Sequence, residues 1–425
     1  MMFLEKQEKL VLNIADICLV YTILSPIILS IFGYYIEIEE NFVRTVIVLQ
    51  GPALISCGIY LYCFGIKSTR ENYKIVLLVL FLTIVVLASS LQNWDSDFTK
   101  YGLKFILAFC FFGFLLGLAA NFTERRAKNF LNYWNIIALL LIIYISISII
   151  FFDYQIQSKF RIPGDNSART GILFFFFSFC ALINFVTVNK YIYRMICAII
   201  FFCSSFFGLI AKSRSAISVF IVNLVFFALV QFTFFKKSKI DKFLLISLFL
   251  IFALTLSFGL FSVKGKNLRY RFLNILKTSE EAITFIIKGD SGAYKSINRL
   301  SLWQDAISKF KLNPIFGVGF GTQYFHQIKK EKRSHPHNII LQFLVETGII
   351  GFTLFLAFIL FIVNKAIHVY LKIKTEYGKQ IFFFFPFAFF FFLIFACFHF
   401  AIHENYFFWY FAGMITGYDF ENRPL

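Results

Sequence analysis

His335-Pro336-His337-Asn338 stands immediately before the apolar run Ile339 to Val363. An imidazole at a helix start on a membrane surface is wet enough to exchange protons and fixed enough to aim, and its ordinary pKa of about 6.5 suits acid–base work. The plainer alternative is a solvated histidine beside a cap, with Pro336 or Asn338 simply opening the helix. Upstream, Arg214 lies between Ser213 and Ser215 in a tight turn, and Arg161, Arg169 and Arg299 occupy other connections. Guanidinium forks hold phosphate oxygens in pairs, although arginines at helix ends also serve as anchors to lipid headgroups. Position alone leaves both readings open.

Other groups carry weaker signals. Gly317-Val318-Gly319-Phe320-Gly321 resembles a phosphate-cradling loop only superficially, because no strand precedes it and no Lys-Ser/Thr follows, so it is read as a flexible turn. Asp16 and Glu346 are carboxylates inside apolar stretches and are functional candidates by that placement. Glu346 lies about two turns below Asn338 on the same helix, which suits either bracing or packing. His399, His403 and Glu404 have a spacing of four that a metal could use on a helix, but no third strong ligand accompanies them. They are read as interfacial polar residues. The eight cysteines all fall in apolar runs without a CxxC pair, as packing residues would.

The elements that must position these groups follow from composition. The chain is 59% hydrophobic, only 15% charged, and contains 64 Phe, with a mean hydropathy of +0.76. A water-soluble core cannot hide that much apolar surface. Runs of about 20 apolar residues recur throughout, each able to cross a hydrocarbon layer as a helix, and their continuity argues against a β-barrel. Twelve spans are expected, at 11–36, 43–66, 75–91, 101–120, 133–152, 171–188, 192–211, 216–235, 243–263, 338–363, 381–398 and 404–418. The first of them begins after Met1 to Lys9 and lacks a small-residue cleavage site, so it reads as a helix and not as a removed signal.

Charge bias orients this bundle. Basic connections containing Lys67 and Arg70, Arg125 and Arg126, Lys190 and Arg194, Lys236 and Lys237, and Lys372 and Lys374 are expected on the cytoplasmic side, with both termini. The net charge of +18 is thus largely topological and is not a nucleic-acid signature. Three outward segments break the rule by being basic: 153–170, the Lys212-Ser213-Arg214 turn, and the 74-residue loop 264–337 with fourteen Lys or Arg against five Asp or Glu. A connection that long is expected to be an ordered binding element. Within it, Leu300, Trp303, Ile307 and Phe310 form one stripe of an amphipathic helix, ended by Pro314 and the glycines. An outward face that gathers arginines beside histidines is what a lipid-linked pyrophosphate requires, since its departure needs charge neutralisation and an attacking hydroxyl needs a base.

Several motifs in fixed order carry a family likeness. They are Asn298-Arg299-Leu300 with Trp303 and Ala306, then Asn313-Pro314-Ile315-Phe316-Gly317-Val318-Gly319, then His335-Pro336-His337-Asn338, Leu341-Gln342, Glu346-Thr347-Gly348 and Gly351. With Arg161, Pro163-Gly164, Arg169 and Ser213-Arg214-Ser215, residues from about 155 to 365 resemble the O-antigen ligase and O-antigen polymerase superfamily of integral-membrane glycosyltransferases. The resemblance implies an all-α, GT-C-type architecture in a bacterial inner membrane, one polytopic domain of about twelve helices with the active site on the periplasmic face and loop 264–337 forming part of it. It implies an inverting transferase that uses no nucleotide sugar, cofactor or metal. Its donor would be an undecaprenyl-pyrophosphate-linked glycan.

By the same likeness His337 would orient or deprotonate the acceptor and Arg214 would be essential. Arg161, Arg169 and Arg299 would bind the pyrophosphate, supported by His335, Asn338 and Glu346. In a ligase the acceptor is a sugar hydroxyl of lipid A–core; in a polymerase it is another lipid-linked repeat unit. The ligase is preferred, although Ser218 replaces the leucine that ligases often show four residues after the turn arginine. A transporter for an anionic lipid-linked substrate is the alternative from another class. It fits less well because basic residues gather at one surface and no repeated halves are visible.

Overall fold

The computed structural model describes residues 2–31, 51–63, 72–91, 103, 106–151, 167–211, 213–235, 239–261, 298–320, 336–398 and 407–419. Every regular element among the described residues is helical, as lipid-facing backbone requires. In chain order, α1 is Met2–Ile31, α2 is Gly51–Cys63 and α3 is Tyr73–Leu91. A π-helical segment, Ile106–Phe111, runs directly into α4, Phe112–Ala119. Then come α5 (Glu124–Phe151), α6 (Ser167–Thr187), α7 (Tyr191–Ile210), α8 (Arg214–Thr233) and α9 (Lys239–Phe261). The last four are α10 (Asn298–Leu312), α11 (Ile339–Lys372), α12 (Glu376–Ala396) and α13 (Phe407–Thr416).

Seven described helices, α3, α5, α6, α7, α8, α11 and α12, are long and apolar enough to cross a membrane. Shorter apolar stretches at Leu10–Leu24, Gly51–Cys63, Lys242–Ala253 and Phe407–Thr416 overlap four further expected spans. Three expected boundaries are corrected, the first being that the helix expected from 11 already begins at Met2. The span expected at 133–152 begins at Glu124, so Arg125, Arg126 and Lys128 belong to a helix and not to a connection. The span expected to end at 363 continues to Lys372, because neither glycine nor proline interrupts 352–372. The candidates His399, His403 and Glu404 lie outside the described residues.

The centre of the bundle is α6, whose apolar window is 94% buried. Phe176 meets the rings of Phe384, Phe391 and Phe392 of α12 and Phe411 of α13 in tilted contacts of 4.9–6.1 Å, a geometry aromatic quadrupoles favour. The close crossing of α4 and α13 depends on small residues. A Cβ on Gly113 would lie 2.7 Å from the Tyr410 ring, and one on Gly413 would meet the backbone of Phe114 and Leu118. This is the small-residue packing that lets membrane helices approach backbone to backbone.

Cross-links between helices fix which ends lie together. Ser89 near the end of α3 bonds Glu346 in the second turn of α11, while Asn72 before α3 receives a 2.9 Å bond from Lys365 further along α11, so these two helices are antiparallel. The first residue of α5, Glu124, accepts from Thr375 just beyond α11. Lys128 of α5 donates to Asn184 and Thr187 at the end of α6. Therefore the first turn of α6, with Arg169, lies at the end of the bundle where α11 begins. Arg169 is separated from Asn184 by about 22 Å of helix at 1.5 Å per residue.

Candidate active site

His337 is held from both sides. On one side Trp303 of α10 donates its indole N–H to the carbonyl of Pro336 at 2.8 Å. On the other, the Asn338 side-chain oxygen accepts from the backbone N–H groups of Ile340 and Leu341 at 3.0 and 3.1 Å and caps α11. This satisfies two of the amide donors that a helix start leaves without an intrahelical acceptor. Between them the His337 backbone is left-handed, with φ at +51°, while its side chain remains half-buried. Positive φ is uncommon for any residue but glycine, and here the bonds on either side hold it. The imidazole is thus carried on a fixed turn.

The glycine segment is not a flexible turn, contrary to the expectation from sequence. It is clasped backbone to backbone onto a kink in α11. Val318 N–H donates to the Val345 carbonyl at 2.9 Å, Gly319 N–H to Glu346 at 3.2 Å, and Ile349 N–H to Pro314 at 2.9 Å. The kink is at Gly348, where φ is +65° and ψ is −167°. Its partners Gly317 and Gly319 have φ of +78° and +97°. All three positions are left-handed, where glycine alone bears no steric cost.

Glu346 is the node of this clasp. Its carbonyl accepts from Gly319 and from the Ser89 hydroxyl at 2.6 Å, and its carboxylate accepts from the Gln342 amide at 3.2 Å. Since Phe320 N–H in turn donates to the Ser89 carbonyl at 3.3 Å, α3, the glycine segment and α11 lock together below His337. The ties to the glycine segment and to α3 thus run through the backbone carbonyl of Glu346, while its fully buried carboxylate bonds within α11. Nothing in the sequence singles out Ser89, whose partner is 257 residues away.

Helix α10 meets the start of α11 through Trp303. Ala306 is fully buried, whereas Ile307 is 44% exposed, so the contacting edge runs through Trp303 and Ala306.

The arginine half of the site is built on the starts of α6 and α8. Ser213 caps α8 by accepting from Ala216 N–H at 3.4 Å and lies 3.2 Å from the Ser215 hydroxyl, which defines the turn carrying Arg214. A Cβ added at Gly171 would touch Ala216 at 3.0 Å and Ala211 at 3.5 Å, so the first turn of α6, carrying half-buried Arg169, is packed on that turn. Arg214 and Arg299 open α8 and α10, but their side chains lie outside the described residues, as do Arg161 and His335 entirely. The structure therefore brings the backbone positions of Arg169 and Arg214 together, at the end of the bundle that also holds His337.

This arrangement gives the similarity to known proteins a place in the fold. Residues 199–356 match the family model described as O-Antigen ligase. The matched residues enclose the Ser213–Ser215 turn, the Trp303 contact, the glycine clasp, His337 and the Gly348 kink, and leave Arg161 and Arg169 outside. A Rickettsia felis protein (strain ATCC VR-1525 / URRWXCal2) named provisionally as a polysaccharide ligase is 34% identical over 74 residues, a match that covers 15% of this chain and 18% of that relative. Both similarities agree with the likeness carried by the sequence motifs.

Asp16, the other carboxylate candidate, belongs to a different place. Its Oδ1 accepts from Arg126 Nη2 at 2.5 Å and from the Tyr60 hydroxyl at 2.7 Å, and its Oδ2 accepts from Arg126 Nε at 3.2 Å. Arg126 also donates to the Ala120 carbonyl at 2.5 Å, and its guanidinium lies 5.2 Å from the Tyr60 ring centre. The pair sits in the first turn of α5, at the opposite end from His337. It ties α1, α2 and α5 together and takes no part in the candidate site.

Proposed function

We propose that this protein is an O-antigen ligase, transferring a polysaccharide from undecaprenyl pyrophosphate to a sugar hydroxyl of lipid A–core. The observation that carries the reading is His337, an acid–base group held in an imposed left-handed turn at the same end of the bundle as the arginine-bearing starts of α6 and α8. In this reading the acceptor hydroxyl gives its proton to His337 as its oxygen attacks the anomeric carbon. The new glycosidic C–O bond forms as the bond to pyrophosphate breaks on the opposite face, with inversion. Arg214, Arg161, Arg169 and Arg299 take up the charge of the departing undecaprenyl pyrophosphate. His335, Asn338 and Glu346 support the turn. The chain resides in the bacterial inner membrane with this face toward the periplasm and both termini cytoplasmic.

Deletion of the gene tests the reading through lipopolysaccharide banding. A ligase leaves core without polymer while the lipid-linked chain accumulates. The second reading, an O-antigen polymerase, is favoured by Ser218 alone and instead leaves a single repeat on core. Normal polymer attachment by the His337→Ala protein overturns the catalytic assignment.

A further inference from the structure

A second site lies at the other end of the bundle. Between α5, α6 and α7 there is a cavity of about 680 Å³. Its polar wall carries Lys128, Asn132, Asn135 and Lys190, and among the described residues no carboxylate lines it. The Asn135 side chain is buried, with the residue 7% exposed, yet neither its amide nitrogen nor its amide oxygen has a hydrogen-bond partner among the described residues. A buried amide left in that state is costly, so both of its groups are set to meet something that enters the cavity. Lys128 is pre-oriented by Asn184 and Thr187, which places an ammonium in the same wall.

The rest of the cavity is apolar. Ile136 and Leu139 of α5 face Ile196 and Ile200 of α7, and the rim residues Ile136 and Tyr193 are 54% and 55% exposed. A site for a free water-soluble anion has no need of this apolar wall between two helices long enough to cross a membrane. A head bearing a phosphate and followed by an acyl chain fits both halves.

We propose that this cavity binds an anionic phospholipid, with its phosphate at Lys128, Asn135 and Lys190 and one acyl chain along the α5–α7 groove. The inference does not depend on the proposed catalytic reaction, because the cavity lies at the opposite end of α6 from Arg169. It makes the protein sensitive to the anionic lipid of one leaflet. On the orientation proposed above that is the cytoplasmic leaflet, where juxtamembrane lysines meet anionic headgroups.

Native mass spectrometry of the full-length protein, purified with phosphatidylglycerol and phosphatidylethanolamine in equal amounts, tests it. The wild-type protein is expected to retain one phosphatidylglycerol in preference to phosphatidylethanolamine. Asn135→Leu should lower that retention by about tenfold, the effect of removing one hydrogen bond to a charged group. Lys190→Met, at an exposed position that does not threaten folding, should do the same. Millimolar inorganic phosphate should not displace the lipid. Equal retention of the two lipids, unchanged retention by Lys190→Met, or displacement by phosphate overturns the proposal, the last identifying a free-anion site instead. Loss of retention with unaltered polymer attachment leaves the catalytic reading intact, so the two stand or fall separately.

Discussion

Gly317 and Gly348 occupy one another's side-chain space: a Cβ on either would lie 2.5 Å from the backbone nitrogen of the other. Both have positive φ, so alanine at either position meets conformational strain and a backbone that cannot withdraw without breaking the Val318–Val345 and Ile349–Pro314 bonds. Gly317→Ala and Gly348→Ala are each expected to destabilise the protein by at least the ~1–3 kcal/mol typical of a strained residue. The double variant should fall short of the sum, because the first substitution already parts the clasp. Thermal unfolding in detergent reads this, and a wild-type midpoint for either variant refutes the clasp.

His337 makes an unusual separation of stability from activity testable. Its φ of +51° is a conformation that glycine adopts without cost. His337→Gly should therefore carry no backbone strain at this turn while losing about 10²–10⁴-fold in transfer rate, the range a positioned acid–base group supplies. His337→Ala should lose as much activity and be less stable than the glycine variant. An alanine variant as stable as the glycine variant would remove the evidence that the turn is imposed on His337.

Trp303 acts on the site only through Pro336. Trp303→Phe keeps an aromatic body against α11 but deletes the indole N–H that anchors the Pro336 carbonyl. The expected loss is about 1 kcal/mol of positioning, or roughly five-fold in transfer rate, at little change in thermal midpoint. A loss confined to the midpoint, with the rate unchanged in the folded protein, would make Trp303 a packing residue only.

These effects show how unevenly the molecule can be read from its sequence. The helices were legible because lipid demands continuous apolar runs, and each expected span contains a helix among the described residues. Their ends were less so. Charge bias places the basic residues near α5 and α11 in connections, yet Arg126 finds Asp16 and Lys365 finds Asn72, and such partners allow a helix to carry its charges inward. The position of His337 before α11 was visible, as was the turn of Arg214. The glycine clasp is not legible in the sequence because its bonds depend on Gly348 and Ser89, on other elements, and local composition cannot report a long-range backbone match.

The Asp16–Arg126 pair separates a brace from a catalytic group. Both charges are buried, with Tyr60 supplying a further hydrogen bond, so removing one member leaves the other uncompensated. Asp16→Leu is expected to cost about 3–5 kcal/mol, the usual penalty for orphaning a buried charge. Replacing both partners, as Asp16→Leu with Arg126→Met, should recover much of that loss, because two apolar chains of similar volume need no solvent or counter-charge. Recovery is incomplete because Arg126 also satisfies the Ala120 carbonyl. The site at the start of α11 lies at the other end of the bundle, so the double variant should transfer glycan at nearly the wild-type rate per folded molecule. A double variant that regains stability but transfers nothing would return Asp16 to the list of catalytic candidates.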